Sequence, residues 1–448
     1  MIAYRCSKSG GGSDRSASYT IKTINTSTGD ETLLKSSLES AFALNRTFNQ
    51  NVIIGNNVGF CGNMFRGCNI LNQNINIPYG VINTSSMFWD CFNLNQPISI
   101  PNSVINASSM FKGCRAINHN IQIPQSVQDC DAMFSECMAL NYNISIPSTV
   151  NNVVGMFWDC FNLDQNISIP QAIKNCSAVF YGCKKLNKNI QIPSNANDVA
   201  MMFTQCEVLN QNIQIPSNVT NAYGMFENCI NLDQNIMIPA GAVIDHMFSG
   251  CNNLNKNIQI PSSYIVTCNY LFSNCKSLNQ AIVIPASFYD MAFIFDNCIS
   301  LNQSVTIYGK SRYYGAFFKN CRALNKPITF NSSQWYHAAE MFRDCISFNQ
   351  DVYIKSDNIS SILLNCANFS KSLYVNATLE SNYAIKGVFG NCNKQKRKDL
   401  YCRQGFYSLN WSYLAHAGGY EPNLTWTAMS GGVYNAEFNI YVHNTYSG

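Results

Sequence analysis

Apolar residues recur along this chain with a long period. One unit reads Met-Phe-x-x-Cys-x-x-Leu-Asn-Gln-Asn-Ile-x-Ile-Pro-x-x-Val, followed by about five variable residues. The phenylalanine column runs Phe65, Phe88, Phe111, Phe134, Phe157, Phe180, Phe203, Phe226, Phe248, Phe272, Phe295, Phe318 and Phe342. Its gaps are 23 seven times, then 22, 24, 23, 23 and 24. Phe42 lies 23 before Phe65, with Phe48-Asn49-Gln50-Asn51-Val52 at the matching offset, so the array starts there. Leu363 and Phe389 continue it with gaps of 21 and 26, a loss of register that suits a terminal repeat. Sixteen rungs result, over residues 41–393.

Within a rung, Ile75-Asn76-Ile77 alternates apolar, polar and apolar, which predicts a short half-buried strand. Pro78 has no N–H to give to a ladder and ends it. Met64, Phe65 and Cys68 are spaced to face inward across a turn or a short helical segment. One unit buries too little to fold alone, whereas stacked units share a continuous core. The expected fold is therefore an α/β repeat solenoid, leucine-rich-repeat-like. It has about sixteen 23-residue rungs with one short parallel strand each, plus a small β-rich C-terminal cap.

The ends leave the pattern. Residues 1–40 hold Gly10-Gly11-Gly12-Ser13 and a Ser/Thr-rich stretch, with one strand expected at Tyr19–Ile24. This segment reads as an attachment point. Residues 394–448 begin with a solvated basic linker, Lys394–Lys398. They continue with turns at Gly405, Gly418-Gly419 and Gly431-Gly432 and a strand at Val433–Val442. Trp411, Tyr413, Trp426 and Tyr434 make this a candidate cap or contact tip.

Composition narrows the function classes. Charged residues are only 12% of the chain, about half the usual share, so asparagine, glutamine, serine and threonine supply the polar surface. A formal charge of +4 is too small over this length to argue for nucleic acid. No stretch reaches the roughly eighteen apolar residues of a membrane span. Nor does the start, Met1-Ile2-Ala3-Tyr4-Arg5-Cys6, carry a signal-peptide core. Folding in a reducing cytosol is then the expectation, and the 21 cysteines read as thiols.

The aligned columns resemble the BspA-like leucine-rich repeats, with their Phe-x-x-Cys-x-x-Leu core and Ile-x-Ile-Pro strand. They are also similar to a related bacterial surface-protein repeat with Met-Phe followed by a Phe-Asn-Gln-Asp element, as at Met341-Phe342 and Phe348-Asn349-Gln350-Asp351. One extra residue between Leu71 and Ile75 departs from the usual BspA-like spacing. The resemblance implies adhesion or recognition at cell or virion surfaces, and no shared chemistry.

Fifteen cysteines form one ladder, from Cys68 to Cys392. Metal binding needs ligands that converge on a point, and neighbours about one strand step apart exceed the Cβ separation a disulfide prefers. Buried cysteine packs as a small hydrophobe, so core packing leads the disulfide and metal readings. Cys61, Cys130, Cys176 and Cys268 each stand seven before a ladder cysteine and mark a second inward position. The asparagine column, Asn72 to Asn349 with Asp164 and Asp233, suits acceptance of a backbone N–H inside the tight turn.

Catalysis finds little support. His119, His246, His337, His416 and His443 occupy different repeat positions, and no P-loop, HExxH or GxGxxG appears. Asp90 and Asp159 lie three units apart, roughly 14 Å at one strand step per unit, too far for a glycosidase pair. A polysaccharide-cleaving tailspike-like β-helix is the enzymatic rival, but its rungs need two or three strands. No cofactor and no metal are expected.

Recognition has two candidate surfaces. The outward strand column includes Gln122, Gln191, Gln214, Gln259 and Tyr353, a row of side chains suited either to sugar hydroxyls or to solvent. In the nearly identical units Met87–Gln96 and Met156–Gln165, Trp89 with Phe92 and Trp158 with Phe161 either anchor a partner or cover gaps between rungs. Trp411 and Trp426 join them in the cap. The expected protein is a non-enzymatic bacteriophage tail-fibre, baseplate or receptor-binding component, homo-oligomeric and trimeric by analogy with tail fibres. It would be held to other virion proteins by its N-terminal segment and would meet a host-surface glycan or protein, with neither nucleic acid nor membrane insertion. A bacterial surface adhesin is the alternative.

Overall fold

Phenylalanines one period apart can stack only if each rung repeats its predecessor's backbone. In the computed structural model they do. It describes residues 2–9, 18–25, 36–262, 267–288, 291–309, 314–331, 337–375, 386–392, 398–403 and 438–443. Two compact units emerge, Met1–Asn218 and Val219–Gly448.

In the first unit the rings of Phe65, Phe88, Phe111, Phe134, Phe157 and Phe180 are fully buried. Successive centroids lie 5.6–5.8 Å apart, with planes tilted 3–7°. Met64, Cys68, Leu71, Ile75, Ile77 and Val81 complete the buried side of one rung. The second inward position is real, since Cys61, Cys130, Cys176 and Cys268 are buried free thiols.

The Met-Phe segment is a run of turns, and no helix occurs among the described residues. A helix would keep every N–H inside its own segment, whereas these rungs need donors for their neighbours. The N–H groups of Thr84, Ser86, Phe88 and Asp90 reach carbonyls of the next rung at 2.9, 2.8, 2.9 and 2.7 Å. The intervening N–H groups of Met87, Trp89 and Cys91 close their own turns at 3.0, 3.1 and 3.0 Å. This alternation puts two residues per rung at positive φ, as at Ser86 (55°) and Asp90 (61°). The later position holds mostly glycine, asparagine or aspartate, the residues that tolerate that conformation best.

The main rung-to-rung ladder of the first unit therefore lies in the turn, not in the predicted strand. Ile-x-Ile segments there keep the buried–exposed–buried alternation without forming regular strands. The strands of this unit stand at its start: β1 (Ile2–Ser9), β2 (Ser18–Asn25), β3 (Ser36–Ser37), β4 (Val52–Ile54) and β5 (Val58–Phe60). β2 contains the expected strand at Tyr19–Ile24. It pairs antiparallel with β1, which sequence reading missed, and parallel with β4, so β1 and β2 extend the first rung's sheet.

In the second unit the strands do form: β6 (Ile236–Met237), β7 (Ile258–Gln259), β8 (Ile282–Ile284), β9 (Val305–Ile307), β10 (Ile328–Phe330), β11 (Val352–Ile354), β12 (Ser372–Val375), β13 (Lys398–Arg403) and β14 (Phe438–His443). They pair in parallel as β6–β7, β8–β9–β10 and β11–β12–β13–β14. Lys398, expected in a linker, opens β13. β14 overlaps the strand expected at Val433–Val442, whose first five residues lie outside the described residues.

Side chains tie the rungs as well. Within each unit, asparagines of the Leu-Asn column accept the backbone N–H of their successors one rung on, not one in their own turn. Asn95 N–H donates to Asn72 Oδ1 at 3.0 Å, Asn118 to Asn95 at 3.1 Å and Asn141 to Asn118 at 3.0 Å. Glutamine in the following column adds a second donor, as from Gln165 Nε2 to Asn141 Oδ1 at 3.0 Å. Ladder thiols donate to the preceding rung's phenylalanine carbonyl, as from Cys160 Sγ to Phe134 O at 3.0 Å. A further column five before the phenylalanine, Asn83, Asn106, Asp129, Asn152, Asn175 and Asp198, accepts the N–H two residues on. It was visible as Asn or Asp at 23-residue spacing and went unread.

Gly182 tests how tightly rungs interlock. Its φ is +68°, and a Cβ there would overlap the Asp159 carboxylate of the preceding rung. Gly182→Ala should lower stability by about 1–3 kcal/mol from backbone strain and overpacking. In a denaturant melt, adding Asp159→Ala should recover part of that loss; no recovery would mean the clash is not the cause.

Candidate functional site

The recognition columns fall on two surfaces, and structure separates them. On the strand side Gln122, Gln191, Gln214 and Gln259 are exposed. The first three turn back on their own rungs, Gln122 Nε2 donating to Asn120 Oδ1 at 2.9 Å, Gln191 to Asn189 at 3.3 Å and Gln214 to Asn212 at 3.0 Å. These glutamines lie on different rungs. Tyr353 is 61% exposed and stacks on Tyr374, centroids 4.3 Å apart and planes 4° apart. Register places Tyr401 and Tyr441 in the same row. Desolvation and then the neighbouring Tyr374 hydroxyl push the Tyr353 phenol up.

On the turn side the two near-identical units diverge because their neighbours differ. Trp89 lies between the Arg66 guanidinium, 3.9 Å from its ring centroid, and the Lys112 ammonium at 5.0 Å. Cations on both flanks make it a staple across rungs. Phe92 is covered by Arg115 at 4.4 Å and Phe161 by Lys184 at 5.4 Å. Trp158 meets aromatic neighbours instead: it packs on Tyr181 at 4.6 Å, tilted 32°, and stays 39% exposed. Of the four turn-side aromatics singled out, Trp158 is the one left open. Trp411 and Trp426 lie outside the described residues.

Sequence reading missed an aromatic stripe in the second unit. Tyr223 and His246 have centroids 5.6 Å apart, His246 and Tyr270 4.6 Å, and Tyr270 and Phe293 4.7 Å. His246, Tyr270 and Phe293 have φ of 58°, 57° and 56°, where most other rungs carry alanine, serine or glycine and a bulky side chain is strained. Rings stacked this way show a ligand their edges, not their faces. Glu227 Oε1 lies 3.7 Å from His246 Nδ1, and burial pushes its carboxyl up while His246 pulls it back.

Among the described residues no group of three or more His, Cys, Asp or Glu side chains could hold a metal. His119, His246 and His337 each meet a different partner, Asn95 O, Glu227 and Asp357. No described helix is long and apolar enough to cross a membrane.

Comparison with known proteins agrees with the repeat. A model of the BspA type leucine rich repeat region matches residues 154–348 in overlapping stretches. A model described as a Mycoplasma protein of unknown function, DUF285, matches residues 21–191. No curated protein matches by sequence. Among solved structures, the chain is similar to a leucine-rich repeat protein from Bacteroides ovatus ATCC 8483, with 18% identity, 88% of this chain and 93% of that chain covered and a TM-score of 0.49. It is also similar to a leucine rich cell surface protein from Faecalibacterium prausnitzii A2-165, with 19% identity, 69% and 95% covered and a TM-score of 0.40.

Proposed function

Because the repeat array is of the BspA leucine-rich type, we propose that this chain is a non-enzymatic recognition scaffold of a bacterial cell surface. Repeats of this type are generally non-catalytic. The single observation that carries the reading is the open tryptophan at Trp158. A large aromatic left half-covered at the end of a short stack is the kind of group that anchors a partner. Its twin Trp89 is spent on holding rungs together. The partner is a glycan or protein of a neighbouring cell, met by an oligomer attached through residues 1–40.

The virion placement expected from the sequence takes second rank. Its grounds were indirect, and the matching repeat model does not reach it.

Trp158→Ala should weaken whole-cell binding by roughly thirtyfold, the loss of one anchor worth about 2 kcal/mol, while the melting temperature stays within a few degrees. Trp89→Ala should do the reverse, lowering stability and sparing affinity. Equal binding loss from both would show that neither ring is the anchor.

A further inference from the structure

A second feature of the first unit deepens the recognition reading and rests on it. A cavity of about 590 Å³ opens beside the asparagine column. It is lined by Ala139, Asn162, Lys185 and Val208 of one column and by Asn118, Asn141 and Asp164 of another. The fifth position after the phenylalanine is alanine at 116 and 139 and changes to Asn162 and Lys185 on the next two rungs.

The unspent hydrogen-bonding groups identify an occupant. Asn118 Oδ1 accepts the Asn141 N–H at 3.0 Å, and Asn141 Oδ1 accepts the Asp164 N–H at 3.0 Å. Both carbonyls are engaged by the ladder, and both Nδ2 groups are left as donors. Asn162 Nδ2 donates to Met138 O at 2.8 Å, which leaves its Oδ1 as an acceptor. Asp164 is neutralised within the array, Oδ1 taking the Asn187 N–H at 3.0 Å and Oδ2 meeting Lys188 Nζ at 3.0 Å. Lys185 makes none of the ion pairs found among the described residues. The cavity thus offers two amide donors, one amide acceptor and one uncompensated cation beside the apolar Ala139 and Val208.

We propose that this cavity binds a hexuronate unit of an acidic polysaccharide, Lys185 pairing with the sugar carboxylate. Vicinal hydroxyls each donate and accept, so amide donors and an amide carbonyl on adjacent rungs can bracket them. A carboxylate on the same ring supplies the charge that Lys185 lacks, and a charge-assisted hydrogen bond is the stronger kind. An acidic peptide would satisfy Lys185 but would leave the paired amide groups without hydroxyl partners.

The test is calorimetric titration of the full chain with galacturonate oligosaccharides, neutral gluco-oligosaccharides of equal length and a polyglutamate peptide. Uronate oligomers should bind at least tenfold more tightly than the other two, and added salt should weaken that binding. Lys185→Gln should remove most of the tenfold preference. Ala139→Phe, at a half-buried position, should abolish binding with the melting temperature kept. Failure of the unaltered chain to bind uronates, equal binding of polyglutamate, or binding untouched by Ala139→Phe would each overturn the proposal. If whole-cell binding falls with Trp158→Ala and ignores Ala139→Phe, this cavity is not the ligand site and the scaffold reading survives it.

Discussion

Phe157→Ala should cost about 3–5 kcal/mol, the usual loss for a fully buried ring, and Phe157→Leu markedly less. Phe157 is packed between Phe134 at 5.8 Å and Phe180 at 5.7 Å, so one truncation breaks two ring contacts worth roughly 0.5–1.5 kcal/mol each beyond area. The carbonyl that Cys183 Sγ reaches at 3.1 Å belongs to the same residue, so cavity relaxation would also loosen the thiol link to the next rung. Each repeat meets only its neighbours. The loss should therefore concentrate on the rungs around residue 157 and separate their unfolding from the rest of the unit. Native sequence supplies a rescue. Where Leu363 replaces the column phenylalanine, the stack steps sideways through Phe348 to Phe369 and Phe389, at 6.3 and 6.0 Å. Both Phe348 and Phe369 stand six after their column position. Phe157→Leu combined with Leu163→Phe repeats that exchange and should regain stability relative to Phe157→Leu alone. Urea melts of the three variants check the order, and no gain in the double variant would show that the sideways stack depends on the terminal rungs.

That rescue was legible in the sequence, as were the period, the phenylalanine and cysteine columns and the buried–exposed–buried strand. Their signal is side-chain hydrophobicity at a fixed spacing, and hydrophobicity decides which face is buried. Backbone hydrogen bonding left a weaker trace. Nothing in Met-Phe-x-x-Cys says that alternate N–H groups leave the turn for the next rung. Positive φ at Met201, Tyr270 and Phe293 runs against the preferences of those residues, so it is imposed by stacking on neighbours. The fate of the two tryptophans depends on residues 23 positions away. Arg66 and Lys112 flank Trp89 in its own column, while Ser135 and Tyr181 flank Trp158. Comparing each column with itself across rungs, not each unit with its copy, would have told the staple from the anchor. The cavity beside Ala139 was hidden for another reason: a missing side chain is seen only against the longer ones around it.

The buried thiols set the widest consequence, a collapse of stability in mild alkali. The nineteen cysteines from Cys61 to Cys392 are buried and free. Burial pushes the Cys61, Cys130 and Cys176 thiols up to about 12 and that of Cys68 to about 11, from an ordinary value near 9. Cys114, Cys137 and Cys183 are driven further in the same direction by burial, with neighbouring ladder thiols adding to it. The folded form therefore holds its protons where the unfolded chain releases them. Stability is fully present below the unfolded value near 9 and falls as pH rises from there toward the raised folded values. Each such thiol removes up to about 1.4 kcal/mol per pH unit in that window. Many such thiols within one cooperative unit together rival the roughly 5–15 kcal/mol that holds a domain folded. Melting temperature in a reducing buffer should be level from pH 7 to about 8.5 and fall steeply by pH 10. Reaction with a thiol-specific disulfide reagent should track that unfolding, since a protonated buried thiol is a poor nucleophile. Replacing Cys137 and Cys160 together by alanine should lower stability at pH 7 and flatten the alkaline slope. A slope unchanged by the pair, or fast thiol labelling at pH 7.5 in the folded chain, would mean that the ladder opens to solvent and does not carry the array's core.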